Sequence, residues 1–165
     1  MAEQIELVPA GPEQESILTN LFELYAHDFS EFYDLVLGSD GRFHYNPLSL
    51  YWSDPDGHAF LIKTEGRLAG FVLVQKHATV WDVGDFFVVR AYRRKGIGMK
   101  IAHEVWRRFP GPWEVRVMES NVTALKFWER AIAAFNGGRA IHPASIEQAG
   151  RRWHVFRFES RPASL

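Results

Sequence analysis

Apolar residues fall at two spacings along this chain, and the changes of spacing mark its elements. Ile5-Glu6-Leu7-Val8 alternates weakly and predicts a first strand that stops at Pro9. Pro12 suits an early helical position. Ile17, Leu18, Leu21, Phe22, Leu24 and Tyr25 then recur on one stripe and predict a helix over residues 13–27. A second short helix is expected over 29–37. Gly38-Ser39-Asp40-Gly41 breaks the pattern. Residues 38–57 read as a long aromatic loop holding Phe43, Tyr45, Tyr51 and Trp52, with one helical turn near 48–52. Loops of that length are uncommon unless functional. Three strand-like runs follow, at 58–64, 67–76 and 79–89. The Glu65-Gly66 turn and a second short connection predict an antiparallel meander. Residues 96–109 read as a helix with Ile101, Ala102, Val105, Trp106 and Phe109 on its stripe, ended by Pro110-Gly111-Pro112. Residues 113–118 form the next strand. Residues 121–135 form a helix that carries Ala124, Leu125, Trp128, Ala131, Ile132 and Phe135 inward and stops at Gly137-Gly138. Residues 152–158 alternate as a last strand, with a weaker strand at 139–142 expected to pair with it.

The order is strand, helices, three antiparallel strands, helix, strand, helix, strand, strand, which is a mixed α+β domain. A helix between the third meander strand and 113–118 allows those two to lie parallel. The 165 residues fit one domain, 1–165. Thirteen Phe and six Trp are many for this length, so some are expected to line a groove. The 19 Lys and Arg balance 20 Asp and Glu, which argues against a protein that coats nucleic acid or an anionic membrane. With no Cys, disulfides, thiolate metal sites and Cys nucleophiles are excluded. The first ten residues carry Glu3 and Glu6 and do not read as a signal peptide. No stretch approaches the roughly 18 apolar residues of a membrane span. The expectation is a soluble cytoplasmic protein, with no nucleic-acid or membrane partner, acting as a monomer or homodimer.

One segment concentrates the chemistry. A buried strand ending in Phe87-Val88-Val89 runs into the basic turn Arg93-Arg94-Lys95-Gly96-Ile97-Gly98-Met99 and then a helix. Glycines let backbone approach a ligand closely. The first N–H groups of a helix have no internal partner, and the helix dipole adds positive charge. A phosphate fits that position. A Rossmann loop needs a third glycine where Ile101 stands, and a Walker loop needs Gly-Lys-Ser/Thr; neither is present. His103-Glu104 lacks the second His of a zinc protease helix, the seven His show no ligand spacing, and no Gly-x-Ser-x-Gly elbow occurs. No metal is expected.

Arg-x-x-Gly-x-Gly at a strand-to-helix junction resembles the acyl-CoA signature of the GNAT N-acetyltransferase superfamily. The run Asn121-Val122-Thr123-Ala124-Leu125-Lys126-Phe127-Trp128 is similar to that family's Asn-x-x-Ala-x-x-Phe-Tyr. The likeness covers about Ile5 to Phe158. It implies a GNAT-type fold: a mixed, mostly antiparallel sheet with a central splayed parallel strand pair, flanked by helices. It also implies acetyl-CoA as cosubstrate, with the pantetheine added to the strand edge at Phe87, Val88 and Val89. Backbone of Arg94 to Met99 would hold the pyrophosphate, with Arg93, Arg94 and Lys95 supplying charge. Asn121 would bond the cofactor or cap its helix, and Phe127 would touch the cofactor or fill the core.

Acyl transfer to an amine requires removal of an ammonium proton, so a general base is expected. The family often places a carboxylate on the strand before the cofactor residues. Asp85 stands there, with Asp82 as second choice. The family's proton-donating Tyr is Trp128 here, and an indole cannot take that role. Glu23, Asp28, Asp40, Asp54 and Asp56 are candidates for an acidic rim around a cationic acceptor. The reading is an acetyl-CoA-dependent N-acetyltransferase acting on a small amine. A non-catalytic acyl-CoA sensor and a protein lysine or N-terminal acetyltransferase are the alternatives.

Overall fold

Turn chemistry sets the register of the two clearest hairpins. The computed structural model describes residues 3–162. In it β2 (His58–Thr64) and β3 (Arg67–His77) are joined by Glu65 and Gly66, both at positive φ (49° and 74°). Two such residues make the turn whose twist matches a right-handed hairpin. Ala149 and Gly150 (53° and 72°) do the same between β6 (Ala144–Gln148) and β7 (Arg151–Ser160). That turn pairs Gln148 with Arg151 and Ala144 with Val155. The strand expected at 139–142 therefore falls instead at Ala144–Gln148, because register is counted outward from the turn.

Among the described residues seven strands follow the hydrogen-bonded order β1-β2-β3-β4-β5-β7-β6. β1 (Ile5–Ala10), β4 (Val80–Val88) and β5 (Gly111–Met118) complete the set. The expected parallel central pair is present as Trp81 with Trp113 and Asp82 with Glu114. β1–β2, β2–β3, β5–β7 and β6–β7 are antiparallel. β1 does not stop at Pro9: Pro9 pairs with Phe60 and Ala10 with Ala59. β1 is an edge strand, where a residue without an N–H is tolerated.

Residues divide into two compact units. One takes the chain up to Gln75 together with Gly84–Lys95; the other takes Lys76–Val83 and the chain from Gly96 onward. In the first, Leu18, Leu21 and Phe22 of α1 (Glu15–Phe29) bury themselves with Leu48 and Tyr51 of α2 (Leu48–Trp52). Ala59, Leu61, Phe71, Leu73 and Phe87 supply the sheet side of the same core. The helix expected over 29–37 is absent. α1 continues to Phe29, and Ser30 caps it through Oγ on the His27 carbonyl. Tyr25, Phe29 and Tyr33 look helical because they are four apart. Their rings do stack, at 5.4 and 5.1 Å, but beyond Phe29 the backbone makes only turns.

In the second unit α3 (Ile97–Arg108) and α4 (Val122–Phe135) carry the predicted stripes. Ile101, Val105, Trp106, Ala131 and Ile132 are all buried to 1% exposure or less. Trp106 meets Phe135 and Phe158 edge-on at 5.1 and 4.7 Å. Among the described residues no helix is long and apolar enough to cross a membrane.

Candidate functional site

Glu23 on α1 organises the loop that follows. Its carboxylate accepts the backbone N–H groups of Phe43 (2.8 Å) and His44 (3.1 Å), and Arg42 approaches to 3.4 Å. The Phe43 N–H bond is the main reason its carboxyl titrates below the usual range. Asp40 bonds the His44 ring and the Arg42 N–H, and His44 takes φ 58°. Tyr45, the next residue, is thereby aimed inward. Its Oη lies 3.0 Å from both carboxylate oxygens of Asp85.

Asp85 and Phe87 are two apart on β4, so strand alternation gives them one face. That face meets α1: the Phe87 ring lies 6.0 Å from Tyr25 and 5.8 Å from Phe71. Tyr25 stands beside the pair, its ring 5.9 Å from that of Tyr45, and favours the charged form of Asp85. The carboxylate is 8% exposed. Burial pushes its titration up, and Tyr25 and Tyr45 offset part of that. Burial beside the Asp85 charge raises the phenols of both Tyr25 and Tyr45. Tyr51 stands next to this group. A Cβ at residue 84 would fall 1.9 Å from the Tyr51 hydroxyl, so Gly84 leaves the space that hydroxyl fills.

The basic turn is built differently from its expectation. Arg93 is not a loose cation. Its Nε donates to the Val88 carbonyl at 2.6 Å, its Nη2 bonds Asp28, and its guanidinium sits 5.5 Å over the Phe87 ring. Arg90 bonds Asp28 as well. Burial works against the Asp28 carboxylate, but Arg93 and Arg90 outweigh it and hold it below its usual range. The full charges left are Arg94 and Lys95, which make no ion pair among the described residues. Both are exposed, and Lys95 lies 5.9 Å from the Tyr92 ring centre.

The backbone of the turn is arranged as follows. Arg94 and Gly96 take positive φ (62° and 78°) and swing the chain into α3. Among the described residues, none of the N–H groups from Arg94 to Met99 has an acceptor; the next, Lys100, bonds the Gly96 carbonyl at 3.2 Å. Six successive donors at a helix start are a ready anion cradle. The Ile97 side chain anchors the turn, at 1% exposure.

Other expected residues fall as follows. Phe87 and Val88 are buried and Val89 is half-buried, its N–H donated to Ala69. Asn121 Oδ1 accepts the Ala124 N–H at 3.2 Å, so its side chain caps α4. Phe127 is half-buried with its ring 4.9 Å from Trp128. Asp82 lies 3.8 Å from His77. The acidic rim is largely engaged elsewhere: Glu23 and Asp40 pin the loop, Asp28 holds two arginines, and Asp54 accepts from Gln75 and the Asp56 N–H. Sequence reasoning missed Tyr25 and Tyr45 as partners of Asp85. The signal was a carboxylate two residues from Phe87 on the inward face of β4, which needs buried donors.

The chain matches the family model described as the acetyltransferase (GNAT) family over residues 18–133. No curated protein matches it. Among solved structures, an acetyltransferase from Thermus thermophilus is 14% identical, with TM-score 0.67, over 94% of this chain and 97% of that one. A probable GNAT-family acetyltransferase from Chromobacterium violaceum is 17% identical, with TM-score 0.64, over 97% and 85%. A GNAT-family acetyltransferase from Elizabethkingia anophelis with acetyl-CoA bound is 12% identical, with TM-score 0.57, over 94% and 97%. At these identities the likeness is one of fold, and it agrees with the strand order above. The family-model match spans most of the sequence, including β4, the basic turn and the start of α4, and on that ground the chain belongs to the acetyltransferase (GNAT) family.

Proposed function

We propose that this protein transfers an acetyl group from acetyl-CoA to a primary amine, by direct attack in a ternary complex, and that the acceptor is a small molecule. The observation that carries the reading is the run of unsatisfied N–H groups from Arg94 to Met99 at the start of α3. A pyrophosphate satisfies such donors, and Arg94 and Lys95 supply its counter-charge. The acetyl-CoA bound to the Elizabethkingia relative supports the same ligand here. Backbone of Phe87, Val88 and Val89 is the proposed pantetheine edge, where a backbone N–H also polarises the thioester carbonyl. Phe127 and Asn121 are proposed neighbours of the cofactor, Asn121 through the cap it provides. No metal is invoked.

Asp85 is the proposed base. The amine nitrogen attacks the thioester carbon, its proton passes to the Asp85 carboxylate, and the carbon–sulfur bond breaks. Burial raises the carboxylate's proton affinity, which suits it to accept from an ammonium. Trp128 donates no proton, so the departing thiolate takes one from water. The aromatic residues of 43–52 with α1 are the proposed acceptor wall; the half-buried rings of Phe43, Tyr45 and Trp52 favour a small amine over a peptide.

Two measurements test this. Calorimetry with acetyl-CoA is expected to show binding that weakens when Arg94 and Lys95 become Ala. Thiol release across an amine library is expected to find an acceptor, and Asp85→Asn to abolish that turnover while sparing acetyl-CoA affinity. Binding with no release against any amine favours an acyl-CoA sensor, the reading that Trp128 in place of Tyr motivates. No binding at all defeats both.

A further inference from the structure

Asp85 is a buried carboxylate whose partners, among the described residues, are phenols. Tyr45 reaches it from the 43–47 loop and places one hydroxyl equidistant from Oδ1 and Oδ2. Tyr25 stands beside it on α1, its ring 5.9 Å from Tyr45 and 6.0 Å from Phe87, and favours its ionised form. Tyr51 of α2 interacts electrostatically with both tyrosines, and Tyr33 with Tyr45. Among the described residues no Lys, Arg or His bonds to Asp85. The arginines of the same unit nearest in sequence to these elements are committed elsewhere: Arg42 to Glu23, and Arg90 and Arg93 to Asp28. A buried carboxylate normally has a cationic partner. Here its place is filled by two neutral donors brought in from different elements. One is fixed by helix α1. The other is fixed by Glu23 through the backbone at Phe43 and His44.

We propose that Tyr25 and Tyr45 are positioning residues that hold Asp85 ionisable and correctly oriented in place of a counter-ion. The inference rests on Asp85 serving as the base proposed above. Neutral donors stabilise the carboxylate without neutralising it, so it remains available to take a proton. A lysine or arginine in the same place would hold it permanently ionised and depress its basicity. The direction follows directly. Each hydroxyl favours the ionised form, so removing one raises the proton affinity of Asp85 and moves its titration to higher pH.

The test is a ¹³C carboxyl NMR titration of Asp85 in the full chain, its resonance assigned by its loss in Asp85→Asn. It is run on the wild type, Tyr45→Phe, Tyr25→Phe and the double variant. Alongside it goes the pH dependence of kcat/KM with whichever amine the library identifies. The titration is expected at higher pH in each single variant and higher still in the double. The rate below the acid limb is expected to fall about tenfold per lost hydroxyl, the equivalent of one hydrogen bond to a charged group. Acetyl-CoA affinity is expected to stay as it is. If a Phe variant does not fold, 3,5-difluorotyrosine at 45 keeps the shape and strengthens the donor, and the titration moves to lower pH. A titration that stays put in folded variants overturns the proposal, as does a rate loss that is uniform in pH. The NMR arm needs no turnover, so it separates failure of this idea from failure of the acetyltransferase reading.

Discussion

Gly84→Ala makes the packing around Asp85 measurable. The added Cβ falls 1.9 Å from Tyr51 Oη and 3.3 Å from its Cζ, with the Leu73 carbonyl at 3.7 Å. The whole conflict is thus with one hydroxyl, at the end of a ring that is itself 5% exposed and fixed in the core. Overpacking of this kind costs about 1–3 kcal/mol. Alanine offsets a little of that, because glycine inside a strand is worth roughly 0.5–1 kcal/mol less. Tyr51→Phe removes the oxygen, and the nearest atom becomes Cζ at 3.3 Å, a tight contact that a few tenths of an ångström relieves. Tyr51→Phe alone carries its own loss of about 1 kcal/mol for the hydroxyl's bonding. The double variant is therefore expected to be more stable than the sum of the singles predicts, by about 1–3 kcal/mol. Urea unfolding of wild type, both singles and the double gives the coupling energy, with unchanged slopes as the check on two-state behaviour. A coupling energy of zero refutes the geometry, since it means the hydroxyl is not what the new methyl meets. The same substitution at Gly70 is the contrast: there the Cβ lands 1.9 Å from the Phe87 carbonyl, which is backbone, and no side-chain deletion is expected to rescue it.

Asp85→Asn is expected to raise the melting temperature at neutral pH. The folded carboxyl titrates above its unfolded value, so the folded state binds the proton more tightly and stability falls as pH rises from the unfolded toward the folded pKa. The gain from Asn is thus full above the folded value and disappears in acid; a gain that persists in acid contradicts the burial argument. Asp28→Asn removes the shared partner of Arg90 and Arg93, and is expected to cost about 1–2 kcal/mol in urea unfolding and to steepen the salt dependence of acetyl-CoA binding. Asn121→Ala is expected to cost about 1 kcal/mol through the lost helix cap, read by the same unfolding assay.

Much of the fold was legible because periodicity reports which face of an element is buried. The stripes of α1, α3 and α4, the β2–β3 turn and the short α2 all lie within a few residues of their expected places. The failures have physical causes. Aromatic spacing at Tyr25, Phe29 and Tyr33 mimics a helix because a four-residue spacing is helical, yet Tyr33 stacks on Phe29 after α1 has ended. Pro9 stops a strand only where its N–H is needed, which a sequence without sheet order does not reveal. At the site, Asp85 could be singled out from its neighbours on the strand. Tyr45 could not, because it lies forty positions away and meets Asp85 in a long-range contact that only the fold determines.

Arg93 shows how a motif can be read correctly as a string and still divide its labour in space. Three adjacent cations beside two glycines suggest three charges on one phosphate. Alternation of backbone conformation separates them. Arg93 is extended (φ −77°, ψ 161°), and its side chain turns back along β4 to the Val88 carbonyl and Asp28. Arg94 enters the left-handed region, and the chain then turns through Gly96 into α3. An arginine suits the first task better than a lysine, because one planar fork serves a carbonyl, a carboxylate and the Phe87 face together. Its effect on the proposed cofactor edge is to fix where the Val88 carbonyl points. The proposed anion cradle is therefore backbone first, with Arg94 and Lys95 as its proposed charges and Arg93 as the brace on the strand leading into it.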